Sequence, residues 1–165
     1  MISRWRGAAD GRLAAGVSCS APRRVSVDYL RDLSAISRRH DLPFVIHVRE
    51  TKLQRVLGAE KYGKSLVKYI HDLYLLDERV QVVHGIWTDR DDMAILAAAG
   101  AIGAYNQVCN LRLGSGVMPF CQLRDQGGAL CLGTDEAIAD DSCNLWNAAK
   151  LAGMIHTLHD PDYLS

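Results

Sequence analysis

An α/β fold built on a parallel sheet is predicted by two features of the 165-residue sequence. Short apolar segments alternate five times with helical or loop segments of crossover length, the pattern of parallel strands joined by right-handed crossovers. Three of the apolar segments also end on side chains able to bind metal or move a proton: residues 44–48 at His47 and Glu50, residues 80–83 at His84, and residues 129–132 at Asp135.

The first dozen residues carry charge and glycine without a period and read as a lead-in. Residues 12–18 form a weak candidate strand, followed by a polar turn through Pro22, Arg23 and Arg24. Ser26 is a good N-cap, and Val27, Leu30, Leu33 and Ile36 recur at helical spacing, so a helix is expected to run to His40. Pro43 ends it, because the residue before a proline is pushed out of the helical region. Phe44 to Val48 is short, β-branched and nearly all apolar, as suits a strand covered on both faces. After a charged loop, Ser65 caps a helix whose Leu66, Tyr69, Ile70 and Leu73 share one face. The strand Val80 to Val83 follows. Thr88 is then read as an N-cap, with Asp89, Asp91 and Asp92 in the first turn near the positive end of the helix dipole, and Gly100 as the closing residue. Residues 101–105 are the next strand, 106–116 a polar loop, and 118–125 a short helix ended by Gly127 and Gly128. The strand Ala129 to Leu132, an acidic loop and a helix from Asn144 to His159 complete the order.

Composition bounds the function classes. Hydrophobic residues make up 48% and charged residues 23%, which suits one globular domain over residues 1–165. With 19 basic and 19 acidic residues the net charge is zero, so no global field draws the chain to nucleic acid or an anionic membrane. No apolar run approaches the roughly 20 residues that span a bilayer, and the basic N-terminus lacks the apolar stretch of a secretory signal. A cytoplasmic location and a small-molecule partner are the expectations. Five cysteines, odd in number and without a C-x-x-C pair, suggest neither a disulfide framework nor a zinc knuckle, and most are expected to be buried.

Alternation alone does not choose between a doubly wound sheet and a β/α barrel. A doubly wound nucleotide site would place a glycine-rich fingerprint after its first strand, and none is present. A lone histidine between Ile46 and Val48 is more often a core residue than a ligand. Three such residues at the same end of successive strands are different, because parallel strands bring their carboxyl ends together. Imidazole and carboxylate donors there suit zinc or ferrous iron, and such a metal lowers the pKa of a bound water toward about 7. Cys109 is a poor nucleophile candidate, since no histidine lies near it in sequence, and Arg49 and Arg112 read as solvated surface residues.

The stretches His47-Val48-Arg49-Glu50-Thr51, Val83-His84-Gly85, Asn110-Leu111-Arg112-Leu113-Gly114-Ser115-Gly116 and Leu132-Gly133-Thr134-Asp135 resemble, in order, the signatures of the amidohydrolase superfamily. They are most similar to its aminohydrolase branch, which holds guanine, methylthioadenosine and S-adenosylhomocysteine deaminases and triazine hydrolases. The resemblance implies a partial parallel β/α (TIM-type) barrel, strands four to eight with their helices. It also implies a divalent metal, zinc first and iron second, with His47 and Asp135 as ligands and His84 as a further ligand in some members. Glu50, His84 and Asp135 would be catalytic: Asp135 takes a proton from the attacking water, Glu50 carries protons to a ring nitrogen, and His84 orients the water or polarises the bond attacked. Glu50 and His84 would thus also contact a heterocyclic substrate, purine-like or triazine-like. Gln107, Cys109 and Glu136 depart from residues common in the family. The first-strand His-x-His of the family is absent, and a complete barrel takes about 250 residues, so the chain is expected to be the C-terminal part of a larger enzyme, weak in metal binding by itself. The alternative expectation is a non-catalytic half-barrel that associates with itself, as a homo-oligomer, or with a complementary half through its open edges.

Overall fold

Five strands pair in the order in which they occur along the chain. In the computed structural model, which describes residues 2–159, β1 (Val17–Cys19), β2 (Phe44–Val48), β3 (Val80–His84), β4 (Ile102–Tyr105) and β5 (Ala129–Leu132) form one sheet in the order β1-β2-β3-β4-β5. Every neighbouring pair is parallel. A doubly wound sheet reverses its order at a switch point. This sheet never reverses, so it advances as an arc of a β/α barrel does, and the order decides what alternation left open.

The helices are α1 (Ile2–Trp5), α2 (Val27–His40), α3 (Lys52–Tyr62), α4 (Leu66–Asp72), α5 (Arg90–Ala99), α6 (Gln107–Arg112), α7 (Phe120–Asp125), α8 (Ala137–Asp140) and α9 (Leu145–His159). Along β2 the side chains alternate: Phe44, Ile46 and Val48 are buried, Val45 and His47 only partly. The buried set packs in one core with Leu30 of α2 and Leu66, Val67 and Ile70 of α4. On β4 the helix-side position is Gly103, where a Cβ would lie 2.8 Å from Met118 and 3.0 Å from Leu123 and Leu130, so the ends of those side chains fill the space a larger residue would take. The other face follows the register from Val45 through Gln81 and Ile102 to Ala129. It is buried or half-buried on the inner strands and exposed at Ala129 and Cys131 of β5.

Caps act largely as their residues dictate. Ser26 accepts from the Tyr29 N–H, Ser65 from the Lys68 N–H, and Gly100 closes α5 in the left-handed region. Several expectations are corrected. The charged stretch after β2 is the helix α3, capped by Thr51 and closed by Gly63; its Leu53 and Val56 are exposed, so no apolar stripe marks it. The N-cap of α5 is Asp89, in a reciprocal capping box with Asp92, while Thr88 donates its hydroxyl to the Gly85 carbonyl. The polar loop after β4 contains α6, hidden because its buried face is Gln107, Cys109 and Asn110. The lead-in contains the turn α1, and the acidic loop the turn α8. Strand β1 starts only at Val17, whose N–H reaches the Pro43 carbonyl at 2.8 Å. Helix α7 starts at Phe120, since Met118 goes into the core. Of the five cysteines only Cys19 and Cys109 are buried.

Arg49 is not a surface residue: it is 2% exposed. Its Nε donates to the Trp87 carbonyl at 2.6 Å, and its Nη1 lies 3.0 Å from the carboxylate of Asp92, itself buried at the start of α5. Asp92 also accepts the hydroxyl of Ser65, the cap of α4. Burial pushes the Asp92 carboxyl up, against the pull of Ser65 and Arg49. One guanidinium thus joins the end of β2 to α4 and α5. Arg49→Ala, which strands a buried carboxylate, is expected to cost about 3–5 kcal/mol, read as a lower urea midpoint at unchanged slope. Arg112→Ala, at a pair with Asp141 in which both side chains are exposed, should cost less than about 1 kcal/mol.

Candidate active site

The strand register brings the two histidines together before any side-chain interaction does. His47 is level with Val83, and Val48 with His84. Their rings lie 5.3 Å apart between centroids at a 40° tilt. Asp135 follows β5, two strands from β3, yet its Oδ2 reaches to 3.6 Å from His84 Nε2 across the end of β4. His47, Glu50, His84 and Asp135 line one open cavity of about 220 Å³, with Gln54 and Cys109 in its wall. All four residues singled out from the sequence are therefore in one place.

The backbone turns sharply at these strand ends. Arg49, His84 and Asp135 have φ of 58°, 72° and 65°, in the left-handed region that non-glycine residues seldom enter. Each such residue costs about 1–3 kcal/mol, and such strain collects at functional sites. It turns the chain from the strand direction toward the cavity.

The neighbours hold each group. Gln54, buried in α3, accepts the Glu50 N–H at 3.2 Å and donates its amide to Glu50 Oε2 at 3.4 Å. Asn110, fully buried, presents Oδ1 to His84 Nδ1 at 2.9 Å. Asn106 donates Nδ2 to Asp135 Oδ2 at 2.8 Å, and the Glu136 N–H reaches Asp135 Oδ1 at 2.9 Å. Burial raises the Asp135 carboxyl, but the Glu136 and Asn106 hydrogen bonds and the nearby His84 outweigh it and hold the group below the ordinary carboxylate range. A Cβ at Gly133 would lie 2.2 Å from Asn106 Oδ1, so this glycine makes room for the amide. Gln54 and Asn106 had no signal in the sequence, and Asn110 none beyond its place in a motif.

The donor types suit a divalent metal; their number does not complete a site. His47 Nδ1 is buried without a hydrogen-bond partner, as an atom awaiting another group would be. Among the described residues, however, no group of three His, Cys, Asp or Glu side chains is arranged to hold a metal ion. A catalytic zinc takes three protein ligands, more than His47 and Asp135 would supply between them. Cys109 is not a nucleophile in waiting: burial and the adjacent Asp135 push its thiol up to about 12. Native chain treated with iodoacetamide at pH 8 should therefore alkylate at exposed Cys143 and spare Cys109, which should react only after unfolding, as mapped by peptide mass spectrometry.

The model of the amidohydrolase family matches residues 1–163. The 5-methylthioadenosine/S-adenosylhomocysteine deaminase of Thermococcus onnurineus is 34% identical over 142 residues, covering 86% of this chain and 34% of that protein. The 5'-deoxyadenosine deaminase of Methanosarcina barkeri is 28% identical over 158 residues, covering 96% of this chain and 37% of that protein. The chain thus spans about a third of the length of the curated relatives it matches. Among solved structures, a zinc-bound adenosine deaminase from Xanthomonas campestris superposes with a TM-score of 0.89 at 20% identity, over 97% of this chain and 36% of that one. A zinc-bound atrazine chlorohydrolase from Arthrobacter aurescens gives 0.85 at 21% identity, over 92% and 33%. These likenesses agree with the sheet order, and with a family match over nearly every residue the chain belongs to the amidohydrolase family.

Proposed function

We propose that this chain carries one side of the active site of a metal-dependent hydrolytic deaminase acting on an adenosine-like heterocycle. The observation that carries the reading is the convergence of His47, Glu50, His84 and Asp135 on one cavity from three strand ends. The deaminase names of the relatives support the reaction class, and the zinc in the solved structures supports the metal.

His47 and Asp135 would be ligands from this chain, with His84 beside them. A divalent metal, when bound, supplies Lewis-acid activation of water. Asp135, held below the usual carboxylate range, is available as a base at neutral pH for a proton of the attacking water. Glu50, steadied by Gln54, delivers a proton to the ring nitrogen next to the amino-bearing carbon. His84 Nε2, beside Asp135, orients the water. Water adds to that carbon, the C–N bond breaks, and the amino group leaves as ammonia while the ring keeps the oxygen.

The test is a chimera in which residues 11–159 of this chain replace the matching third of the Thermococcus enzyme. A folded, zinc-loaded chimera should release ammonia from 5-methylthioadenosine or S-adenosylhomocysteine. Glu50→Gln should lower turnover by about 10²–10⁴-fold, and Asp135→Asn or His47→Ala should abolish it. A folded, metal-loaded chimera without activity would overturn the assignment.

A second reading, a half-barrel that associates through its edges, is favoured by one observation. Among the described residues β1 and β5 each pair on one side only, and β5 exposes Ala129 and Cys131. Under this reading the purified chain should sediment as a dimer or larger species; a monodisperse monomer would count against it.

A further inference from the structure

Strand β4 is the one strand between the site-bearing strands β3 and β5 that ends without a metal-capable or acidic side chain. The helix after it occupies that gap. Asn106 is the N-cap of α6, and Cys109 and Asn110 lie on the buried face of that helix. All three are buried, at 6%, 3% and 0% exposure. Two of them touch a residue of a neighbouring strand end: Asn106 donates to Asp135, and Asn110 Oδ1 meets His84 Nδ1, while Cys109 lines the cavity between them. Burying two amide side chains there costs more than apolar side chains would unless their partners are fixed. Here the partners are the two groups that must face the cavity together, 3.6 Å apart.

Resting on the assignment of His84 and Asp135 to the reaction, we propose that α6 is the positioning element of the site. Asn110 sets the tautomer and ring plane of His84, and Asn106 sets the carboxylate plane of Asp135. An acceptor oxygen at Nδ1 requires the proton there, because which ring nitrogen is protonated follows the hydrogen bond the other makes. A proton on Nδ1 is the opposite of what neutral free imidazole prefers, so the amide and not the ring's own bias sets it. Gly133 belongs to the same device, since any side chain there would drive the Asn106 amide off Asp135.

The test reads the ring directly. The chain is labelled with ring-¹⁵N histidine and its long-range ¹H–¹⁵N correlations are recorded at pH 8, with His84 assigned by His84→Gln. The expected result is a His84 proton on Nδ1. Asn110→Leu should return the ring to the Nε2–H tautomer, and Asn110→Asp, which keeps the acceptor oxygen, should retain the proton on Nδ1. A wild-type His84 with its proton on Nε2, or an Asn110→Leu ring unchanged in a folded chain, would overturn the proposal. If Asn110→Leu does not fold, the wild-type and Asn110→Asp spectra still decide. No turnover is needed, so an inactive chimera with an Nδ1–H ring would sink the deaminase reading and leave the positioning role standing.

Discussion

The guanidinium of Arg49 is the interaction on which this arrangement of strand ends depends. It leaves β2 on a residue in the left-handed region, turns under the strand ends and meets a buried carboxylate at the start of α5. The Trp87 N–H returns a hydrogen bond to the Arg49 carbonyl at 2.9 Å, so backbone and side chain both tie the β2 and β3 loops together. A buried ion pair of this kind adds little net stability compared with an apolar substitute. It adds geometry: Glu50, next in the chain, has one path to the cavity because Arg49 has one place to put its charge.

The site is built in two layers. The first is backbone: parallel register sets His47 beside His84, and left-handed turns at strand ends aim the chain inward. The second is a set of neutral amides, Gln54, Asn106 and Asn110, each touching one ionisable group. An amide holds a neighbour without adding charge, so it fixes direction while leaving the charge balance to the acids and imidazoles. Asp135 shows the outcome, a half-buried carboxylate kept below its ordinary range by hydrogen bonds that outweigh desolvation.

Most of the sheet was legible in the sequence because its strands are short, apolar and bounded by turn residues. His47, Glu50, His84 and Asp135 were legible because polar side chains directly after such strands need a reason to be there. What escaped follows inverse rules. Helix α3 exposes Leu53 and Val56 and buries Gln54 and Gly58, and α6 buries its polar residues, so neither has the apolar stripe that periodicity detects. Arg49 looked solvated because its partners lie 40 and 43 residues away in Asp89 and Asp92, and no local pattern connects them. Alternation does not encode the choice of a barrel arc over a doubly wound sheet; the motif resemblance pointed to the barrel, and the strand order agrees with it.

The monotonic strand order makes the molecule nearly one-dimensional, each strand and helix resting on the next as repeats do in a solenoid. Local stability in such an array follows the number of packed neighbours, and it falls toward an unpaired end. His47 and His84 belong to β2 and β3, each paired on both sides, while Asp135 follows β5, which among the described residues pairs on one side only and exposes Ala129 and Cys131. The two sides of the site therefore open with different free energies. Amides beside Asp135, next to a strand paired on one side among the described residues, are therefore expected to exchange at lower free energy than those beside His47, so the aspartate side of the site depends most on what covers β5.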